Sequence, residues 1–472
     1  MRAIRWSTLA IFSVSLAAAC SDALAPEPLA PTSPLASRAP SDVDAQLRDY
    51  LARQGFTGRI ASTLETRLGR QLDRRLADVG RMLWFDKITG LNDDNSCGGC
   101  HSPTNGFGDT QSIAIGIDNN NVVGPERQGP RNQRRTPMAI NTAFYPTLMW
   151  NSRFRALSGD PFDNTAGFDF PAPESRTLSS LAHLLTAQAF IPPTERTEAA
   201  GFAVPGTNFD LRDAVLVRLN ASAAYRTLFG RVFDDVRAGA PITFAHFGRA
   251  IAEFEFTQVY TDAPIDRYAR GQSNAMTLAE KRGAVLFFGK AGCVGCHAVS
   301  GSSNEMFSDF REHVIGVPQV APTIANVTFD GPGQNEDFGL EQVTGSSSDR
   351  YAFRSSPLRN VALQPAFMHN GAFVRLEDAV LHHLDPAASV QRYSSATLAP
   401  DLRGPLGPMT PVLDRLDARL RDAAPLSDEE LGDLVAFVRD ALLDPAAKPA
   451  RLRGLVPATV PSGATPLTFQ FR

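Results

Sequence analysis

Cys97-Gly98-Gly99-Cys100-His101 is one of two C-x-x-C-H stretches in this chain, and Cys293-Val294-Gly295-Cys296-His297 is the other. The pattern is typical of c-type haem attachment, in which both cysteines bond to the porphyrin and the histidine binds the iron. Zinc is the alternative, because it also takes cysteine and histidine ligands. Two copies, each with the histidine directly after the second cysteine, favour two haems. The sequence therefore predicts redox chemistry.

The first residues are typical of a secretory signal. A short basic region, Met1–Arg5, is followed by an apolar stretch, Leu9–Ala19, that is too short to span a membrane. Residues 1–19 are therefore predicted to be a signal peptide, and export to the periplasm agrees with haem attachment, which takes place outside the cytoplasm. Cys20 follows three alanines, which resembles a bacterial lipoprotein processing site and predicts a lipid anchor. Ordinary cleavage that leaves Cys20 as a spare thiol is the alternative.

Length and charge limit the class of protein. The 472 residues exceed one typical hydrophobic core and favour two domains. Without residues 1–19 the chain has 44 basic and 50 acidic residues, a formal charge of −6. This charge argues against nucleic-acid binding and suits a basic electron-carrier protein, although it could serve solubility alone.

The chain repeats itself at coarse scale. Gly80–Phe85 precedes the first haem motif, and the similar stretch Gly283–Phe288 precedes the second. Asn141 stands nine residues before Trp150, and Asn360 stands nine residues before the histidine of Met368-His369-Asn370-Gly371. These pairs indicate an internal duplication with one haem in each half.

The predicted fold is mainly α, with two cytochrome c-like helical domains and long loops that wrap the haems. Capping boxes begin two helices, at Thr277–Glu280 and Ser427–Glu430. The segments 102–135 and 300–350 are rich in Gly, Asn, Ser, Pro and Asp and predict long functional loops. Helices are predicted at about 43–54, 72–86, 177–190, 209–222, 243–257, 374–384 and 428–443. The predicted organisation is a signal peptide (1–19), a Pro-rich linker (20–42), an N-terminal domain with the peroxidatic haem (43–270), a C-terminal domain with the electron-transfer haem (271–445) and a loosely packed Pro-rich tail (446–472).

Beyond the haem motifs, the sequence resembles the bacterial dihaem cytochrome c peroxidase family, which includes the MauG-type maturases. The resemblance covers roughly residues 70–445. Its further pieces are Gly80–Asp86, Arg135-Thr136-Pro137…Asn141, Met149–Arg153, Gln188…Pro192…Glu198, Pro357–Asn360 and Met368–Gly371. The resemblance implies that the N-terminal haem binds peroxide, that the C-terminal haem relays electrons, and that Trp150 lies between the two. A core aromatic is the alternative for Trp150.

Peroxide chemistry needs an iron with one open face and a group that moves a proton. In family members that need reductive activation, a loop histidine after an Ile-Gly pair caps the first iron, whereas here Ile115-Gly116 is followed by Ile117. The resemblance therefore implies that the haem of His101 is open. It also implies that Gln188 and Glu198 are catalytic, with Glu198 as the acid–base group; the alternative is that Glu198 is a surface carboxylate.

The second haem is predicted to have two axial histidines, His297 and His383. The resemblance places the sixth ligand fourteen residues after His369, where the family has methionine or tyrosine and this chain has His383. Histidine is the stronger donor to ferric iron and lowers the haem potential relative to a His/Met pair. His382 is the competing candidate, and His369 is predicted to lie near a haem propionate. The remaining histidines are predicted to be structural or surface residues: His183, His246 and His313.

Calcium is not expected between the haems. The family often holds Ca²⁺ through an asparagine two residues before the proline that matches Pro137, and this chain has Arg135 there. A guanidinium cannot ligate Ca²⁺, although it could occupy the same space as a fixed charge.

The predicted function is a dihaem peroxidase that reduces hydrogen peroxide with electrons from a small carrier such as a c-type cytochrome. A MauG-like oxidase that acts on a protein or organic substrate is the second hypothesis, and a dihaem electron-transfer protein without catalysis is the third.

Overall fold

The computed structural model describes residues 35, 39–175, 178, 180–421 and 424–471. The predicted signal peptide, Cys20 and most of the predicted linker lie outside the described residues. The structure is 44% helix and 6% strand, which confirms the mainly α fold. Within the described ranges, none of the helices combines the length and the apolar character needed to cross a membrane.

The helices are α1 Pro40–Arg53, α2 Leu64–Leu68, α3 Arg74–Phe85, α4 Cys97–Cys100, α5 Leu184–Gln188, α6 Asn208–Ala221, α7 Ala223–Gly230, α8 Asp234–Arg237, α9 Phe244–Phe256, α10 Pro264–Ala269, α11 Leu278–Phe288, α12 Glu341–Thr344, α13 Leu376–Leu384, α14 Pro386–Arg392, α15 Thr410–Leu413, α16 Asp428–Ala436 and α17 Pro449–Leu452. The strands are β1 Val122–Val123, β2 Thr147–Leu148, β3 Phe154–Ala156, β4 Phe168–Asp169, β5 Glu312–His313, β6 Phe353–Arg354 and β7 Thr468–Phe469. Strands β2, β3 and β4 form an antiparallel sheet, β5 pairs antiparallel with β6, and β1 pairs parallel with β7.

The duplication is visible in how the helix before each haem motif packs. In the first half α3 crosses α9 so closely that a Cβ on Gly80 would lie 1.9 Å from the carbonyl oxygen of Ala250. In the second half α11 crosses α16, and a Cβ on Gly283 would lie 1.9 Å from the carbonyl oxygen of Asp433. A side chain at either glycine would force the helices apart, so glycine is required at both crossings.

The second repeated element is also structurally equivalent in the two halves. Asn141 and Asn360 both have left-handed backbone, with φ of +62° and +61°. Both side-chain amides donate to the carbonyl oxygen of Tyr260, at 3.2 and 3.0 Å. The two halves therefore meet at Tyr260 through matching asparagines.

Helix α1 packs in the half opposite to the predicted one and the final segment packs in the N-terminal half, which differs from the predicted boundaries. Helix α1 buries Val43, Leu47 and Leu51 in the core of the C-terminal half, although the predicted N-terminal domain starts at residue 43. The segment 446–472 is not loosely packed: Leu452 is buried in the core of the N-terminal half, and Phe469 in β7 packs on Phe85. Apolar residues between the prolines are enough to anchor this segment.

Candidate active site

The first haem motif lines a cavity of about 320 Å³. Helix α4 presents Cys97 and Cys100 to this cavity, and His101 follows at the end of the helix. The Nδ1 atom of His101 lies 3.2 Å from the carbonyl oxygen of Phe107, which leaves Nε2 for a metal. Burial lowers the pKa of His101 to about 4, so the imidazole is neutral and able to bind iron.

The second motif lines a cavity of about 430 Å³. The Nδ1 atom of His297 lies 3.0 Å from the carbonyl oxygen of Phe307, as in the first motif. His383 on α13 faces it, with the two ring centroids 6.1 Å apart. Two metal–nitrogen bonds of about 2.0 Å each, added to the distance from each ring centre to its nitrogen, span a gap of this size. The gap therefore fits one iron between two imidazoles.

His382 is placed away from this gap. Its ring is fully buried, with Nε2 2.8 Å from the carbonyl oxygen of Ile315 and Nδ1 3.0 Å from the hydroxyl of Ser389. Both nitrogens are therefore occupied, whereas His383 uses only Nδ1, which lies 2.8 Å from the carbonyl oxygen of Ala379.

The chemistry of the cysteines fits haem better than zinc. The four motif cysteines are free thiols, and burial raises the pKa of Cys97 to about 12 and that of Cys100 to about 11. Zinc needs thiolates, which such sites disfavour. Among the described residues, the one group of three metal-ligating side chains is Cys296, Asp309 and His313, which does not combine two cysteines with a histidine.

The predicted acid–base residue lies in the first cavity. Glu198 sits on a π-helical turn, Arg196–Ala200, and lines the cavity together with Gln188 and Pro192. Desolvation and the nearby charge of Glu195 raise the pKa of Glu198 to about 7, and the Arg153 guanidinium opposes this rise. Glu195 forms an ion pair with Arg153 at 3.0 Å. The arrangement provides a carboxyl that exchanges a proton near neutral pH.

The loop that contains Ile117 packs beside the first cavity. Ile117 is buried, and its N–H donates to the carbonyl oxygen of Thr197 at 3.2 Å. The loop thus packs against the turn that carries Glu198. Among the described residues that line the first cavity, His101 is the only histidine.

Glu255 is a cavity residue that the sequence analysis missed. It lies on α9, is 4% exposed and lines the first cavity, and its Oε2 has no hydrogen-bond partner. Burial raises its pKa to about 8. The sequence shows two carboxylates, Glu253 and Glu255, inside the apolar helix Phe244–Phe256, but it does not show which of them lines a cavity.

Two further histidines, His369 and His313, line the second cavity and have identifiable contacts. His369 stacks on Phe353 with ring centroids 3.6 Å apart, and its buried Nε2 has no hydrogen-bond partner. This nitrogen lies 3.8 Å from Asp337 Oδ2 and remains able to hydrogen-bond a polar haem substituent. His313 is not a surface residue: it is 8% exposed and lies 3.0 Å from Asp309 and 2.8 Å from Asp417.

Trp150 and Arg135 lie in the wall that separates the cavities. The Trp150 indole N–H donates to the carbonyl oxygen of Arg135 at 2.9 Å, and both residues line both cavities. The Arg135 guanidinium is buried and donates to Gln364 Oε1 at 2.8 Å. A buried guanidinium at this position offers no oxygen ligand to a calcium ion and repels one.

Comparisons with known proteins agree with this geometry. A family model described as di-haem cytochrome c peroxidase matches residues 74–274. The methylamine utilization protein MauG of Methylorubrum extorquens is 27% identical over 409 residues, which cover 87% of this chain and 90% of that protein. Cytochrome c551 peroxidase of Pseudomonas aeruginosa is 26% identical over 312 residues, which cover 66% of this chain and 72% of that protein.

Solved structures support the same fold. A MauG-like protein associated with microbial copper homeostasis matches with a TM-score of 0.56 and 24% identity, over 80% of this chain and 91% of that chain. The diheme peroxidase BthA from Burkholderia thailandensis matches with a TM-score of 0.52 and 23% identity, over 84% of this chain and 91% of that chain.

The fold, the paired haem motifs and these matches define a class of dihaem c-type oxidoreductases. Residues 74–274 match the di-haem cytochrome c peroxidase family model, and the similarity to MauG and to cytochrome c551 peroxidase confirms the resemblance inferred from the motifs. It is a cytochrome c peroxidase-like enzyme, and its family carries two c-type haems.

Proposed function

We propose that this protein reduces hydrogen peroxide to water, with two electrons and two protons, at the cavity of His101. The observation that carries the proposal is the contrast between the cavities: among the described residues His101 is the one histidine that lines the first, whereas in the second the rings of His297 and His383 lie with their centroids 6.1 Å apart. An iron with one protein ligand keeps a face for peroxide, whereas one held on both faces is suited to electron transfer.

The haems supply the redox chemistry when bound, and the protein supplies their ligands and the proton transfer. His101, His297 and His383 would hold the irons, and the four motif cysteines would fix the porphyrins. Glu198 would accept a proton from the near oxygen of peroxide and deliver it to the far oxygen, which leaves as water. Gln188 lines the same cavity and can orient peroxide by hydrogen bonding.

Electrons would reach the first cavity from the second through the wall that contains Trp150. A small carrier such as a c-type cytochrome is the proposed donor, and the formal charge of −6 after signal removal suits a basic one. The proposed location is the periplasm, with Cys20 as a lipid anchor. Both follow from the sequence of residues 1–20.

A MauG-like oxidase is the second candidate function. Two observations favour it: the similarity to MauG extends over 87% of this chain, and Ile117 stands where a capping histidine is expected in peroxidases that need activation. Such an enzyme would withdraw electrons from a protein or organic substrate. The raised pKa of Glu198 argues against the third candidate, a dihaem protein without catalysis.

Steady-state peroxide consumption with reduced cytochrome c tests the proposal. We expect cytochrome c oxidation to match peroxide loss at two equivalents per peroxide, and no sustained consumption without a donor. Peroxide-dependent oxidation of a protein or organic substrate, with cytochrome c left reduced, would favour the oxidase.

Electron paramagnetic resonance of the diferric protein should show one high-spin and one low-spin haem. The single imidazole of the first cavity predicts the high-spin signal, and the facing pair His297 and His383 predicts the low-spin signal. Two low-spin signals without a high-spin one would mean that the first iron is capped.

The reaction with peroxide should depend on pH through Glu198. Because its pKa is raised to about 7, the basic carboxylate predominates above pH 7 and is lost as the pH falls. We expect the bimolecular rate to fall about tenfold per pH unit below that value in stopped-flow measurements.

Glu255→Gln is the matched control for this pH dependence, because its carboxyl lines the same cavity with a pKa raised to about 8. The fall of the bimolecular rate below pH 7 should persist in Glu255→Gln and disappear in Glu198→Gln. The reverse result would assign the proton transfer to Glu255.

A further inference from the structure

The wall between the two cavities contains two buried arginines. Seven residues line both cavities, and the two that are charged have the same sign: Arg135 and Arg354. They are 3% and 4% exposed. The wall therefore places two positive charges between the two predicted haem sites.

The hydrogen bonds of both guanidinium groups go to neutral acceptors. Arg135 donates to Gln364 Oε1 at 2.8 Å, and Arg354 donates to the carbonyl oxygens of Met149 and Ser355 at 2.9 and 3.2 Å. Among the residues that the structure describes, neither has an ion pair with a carboxylate within 4.0 Å, whereas the equally buried Arg359 has Asp266 at 2.8 Å.

The described residues therefore supply no anion at ion-pair distance from either arginine. A buried charge is costly unless it is paired, and native proteins pair almost all such charges. Asp109 acts on Arg135 and Glu312 acts on Arg354 only from beyond ion-pair distance, and burial lowers the pKa of each arginine to about 10. Both stay protonated at neutral pH, so the wall carries two charges that a ligand must neutralise.

We propose that Arg135 and Arg354 bind propionate carboxylates of the two haems and form a cationic bridge on either side of Trp150. Each haem carries two carboxylates, and a guanidinium binds a carboxylate through two parallel hydrogen bonds. The proposal rests on the presence of two haems and is independent of the peroxidase reaction.

Trp150 is hydrogen-bonded to both arginines. Its indole N–H donates to the carbonyl oxygen of Arg135 at 2.9 Å, and its carbonyl oxygen accepts the backbone N–H of Arg354 at 2.8 Å. The backbone N–H of Arg135 also donates to the carbonyl oxygen of His369 at 2.8 Å, which links the bridge to the second cavity. Propionates bound to these arginines would fix the haem edges relative to the indole.

The bridge also has an electrostatic consequence. A fixed positive charge beside a haem favours the ferrous state, because reduction adds an electron to the group. Both arginines should therefore raise the haem potentials.

Potentiometric titration of Arg135→Gln and Arg354→Gln, followed by visible spectroscopy, tests the proposal. We expect both variants to retain two covalent haems. In each variant, the equilibrium constant for reduction of at least one haem should fall by a factor of ten or more. This corresponds to a potential that is lower by about 59 mV for one electron. Lysine at either position should keep part of the potential, because lysine preserves the charge but not the two parallel hydrogen bonds of the guanidinium.

Arg131→Gln is the matched control. Arg131 is also 4% exposed, but it is paired with Asp401 and lines neither cavity, so its loss should leave both potentials unchanged. Unchanged potentials in either glutamine variant would remove that arginine from the bridge, and unchanged potentials in both would overturn the proposal. An equal fall in the lysine and glutamine variants would overturn the electrostatic consequence, because the lost hydrogen bonds and not the lost charge would then set the potentials. Equilibrium potentials do not depend on turnover, so these outcomes are distinct from a failure of the peroxidase proposal.

Discussion

Replacing Glu198 with glutamine is expected to lower the bimolecular rate of reaction with hydrogen peroxide by about 10²–10⁴-fold. Glutamine keeps the shape of the side chain and removes its ability to accept a proton. The carboxyl lines the first cavity with a pKa raised to about 7, which suits it to hold a proton briefly and release it. Stopped-flow mixing with peroxide measures this step apart from electron delivery, and both haem spectra should stay intact.

Glu195→Gln is the control three residues away. Glu195 lines the same cavity, but it is engaged with Arg153 at 3.0 Å and its negative charge raises the pKa of Glu198. Its removal should shift the pH profile to lower pH, because the neighbouring anion is lost, and should leave the plateau rate nearly unchanged. A plateau that falls as far in Glu195→Gln as in Glu198→Gln would contradict the assignment of Glu198 as the base.

Features that depend on consecutive residues were predictable from the sequence. Both capping boxes form as expected: the Glu280 N–H donates to the Thr277 hydroxyl, and the Glu430 N–H donates to the Ser427 hydroxyl. The helix predicted over 177–190 is wrong in extent, since α5 covers only Leu184–Gln188. The reason is a side-chain cap, in which the His183 ring accepts the Leu185 N–H, and hydrophobic periodicity does not reveal such a cap.

Features that depend on distant contacts were not predictable. Helix α1 packs in the C-terminal half and the final segment packs in the N-terminal half, and neither choice is encoded in local periodicity. Arg354 looks like an ordinary basic residue in the sequence, because its burial depends on Met149, which lies far away along the chain. Position in the wall between two cavities is a property of the assembled fold.

The residues of the candidate site also fall into those that the sequence predicts and those that it does not. The attachment residues follow directly from the two motifs, and Ile117 excludes a loop histidine by its identity alone. Glu255 escaped notice because only the tertiary structure brings α9 to the wall of the first cavity. The sequence thus specifies the ligands of the cofactors better than it specifies their electrostatic surroundings.

Replacing His383 with alanine is expected to convert the C-terminal haem from low spin to high spin without detaching it. On the proposed attachment, the thioether bonds to Cys293 and Cys296 and the ligand His297 would remain, whereas the ring whose centroid lies 6.1 Å from that of His297 is lost. The potential of this haem should rise, since axial ligands set haem potentials over a span of about 0.8 V and the variant lacks a strong donor to ferric iron. Electron paramagnetic resonance and potentiometry measure the two changes.

His382→Ala is the matched control, because the two histidines are neighbours on α13 with different partners. Both ring nitrogens of His382 are hydrogen-bonded, to Ile315 and to Ser389. Loss of these buried hydrogen bonds should lower stability, while the low-spin signal should persist. If His382→Ala were to give the high-spin haem instead, the alignment that places the sixth ligand fourteen residues after His369 would be wrong by one residue. If peroxide binds at the first haem, as proposed, His383→Ala should leave the stopped-flow rate with peroxide intact while slowing turnover with reduced cytochrome c. This split distinguishes a relay haem from a second catalytic haem.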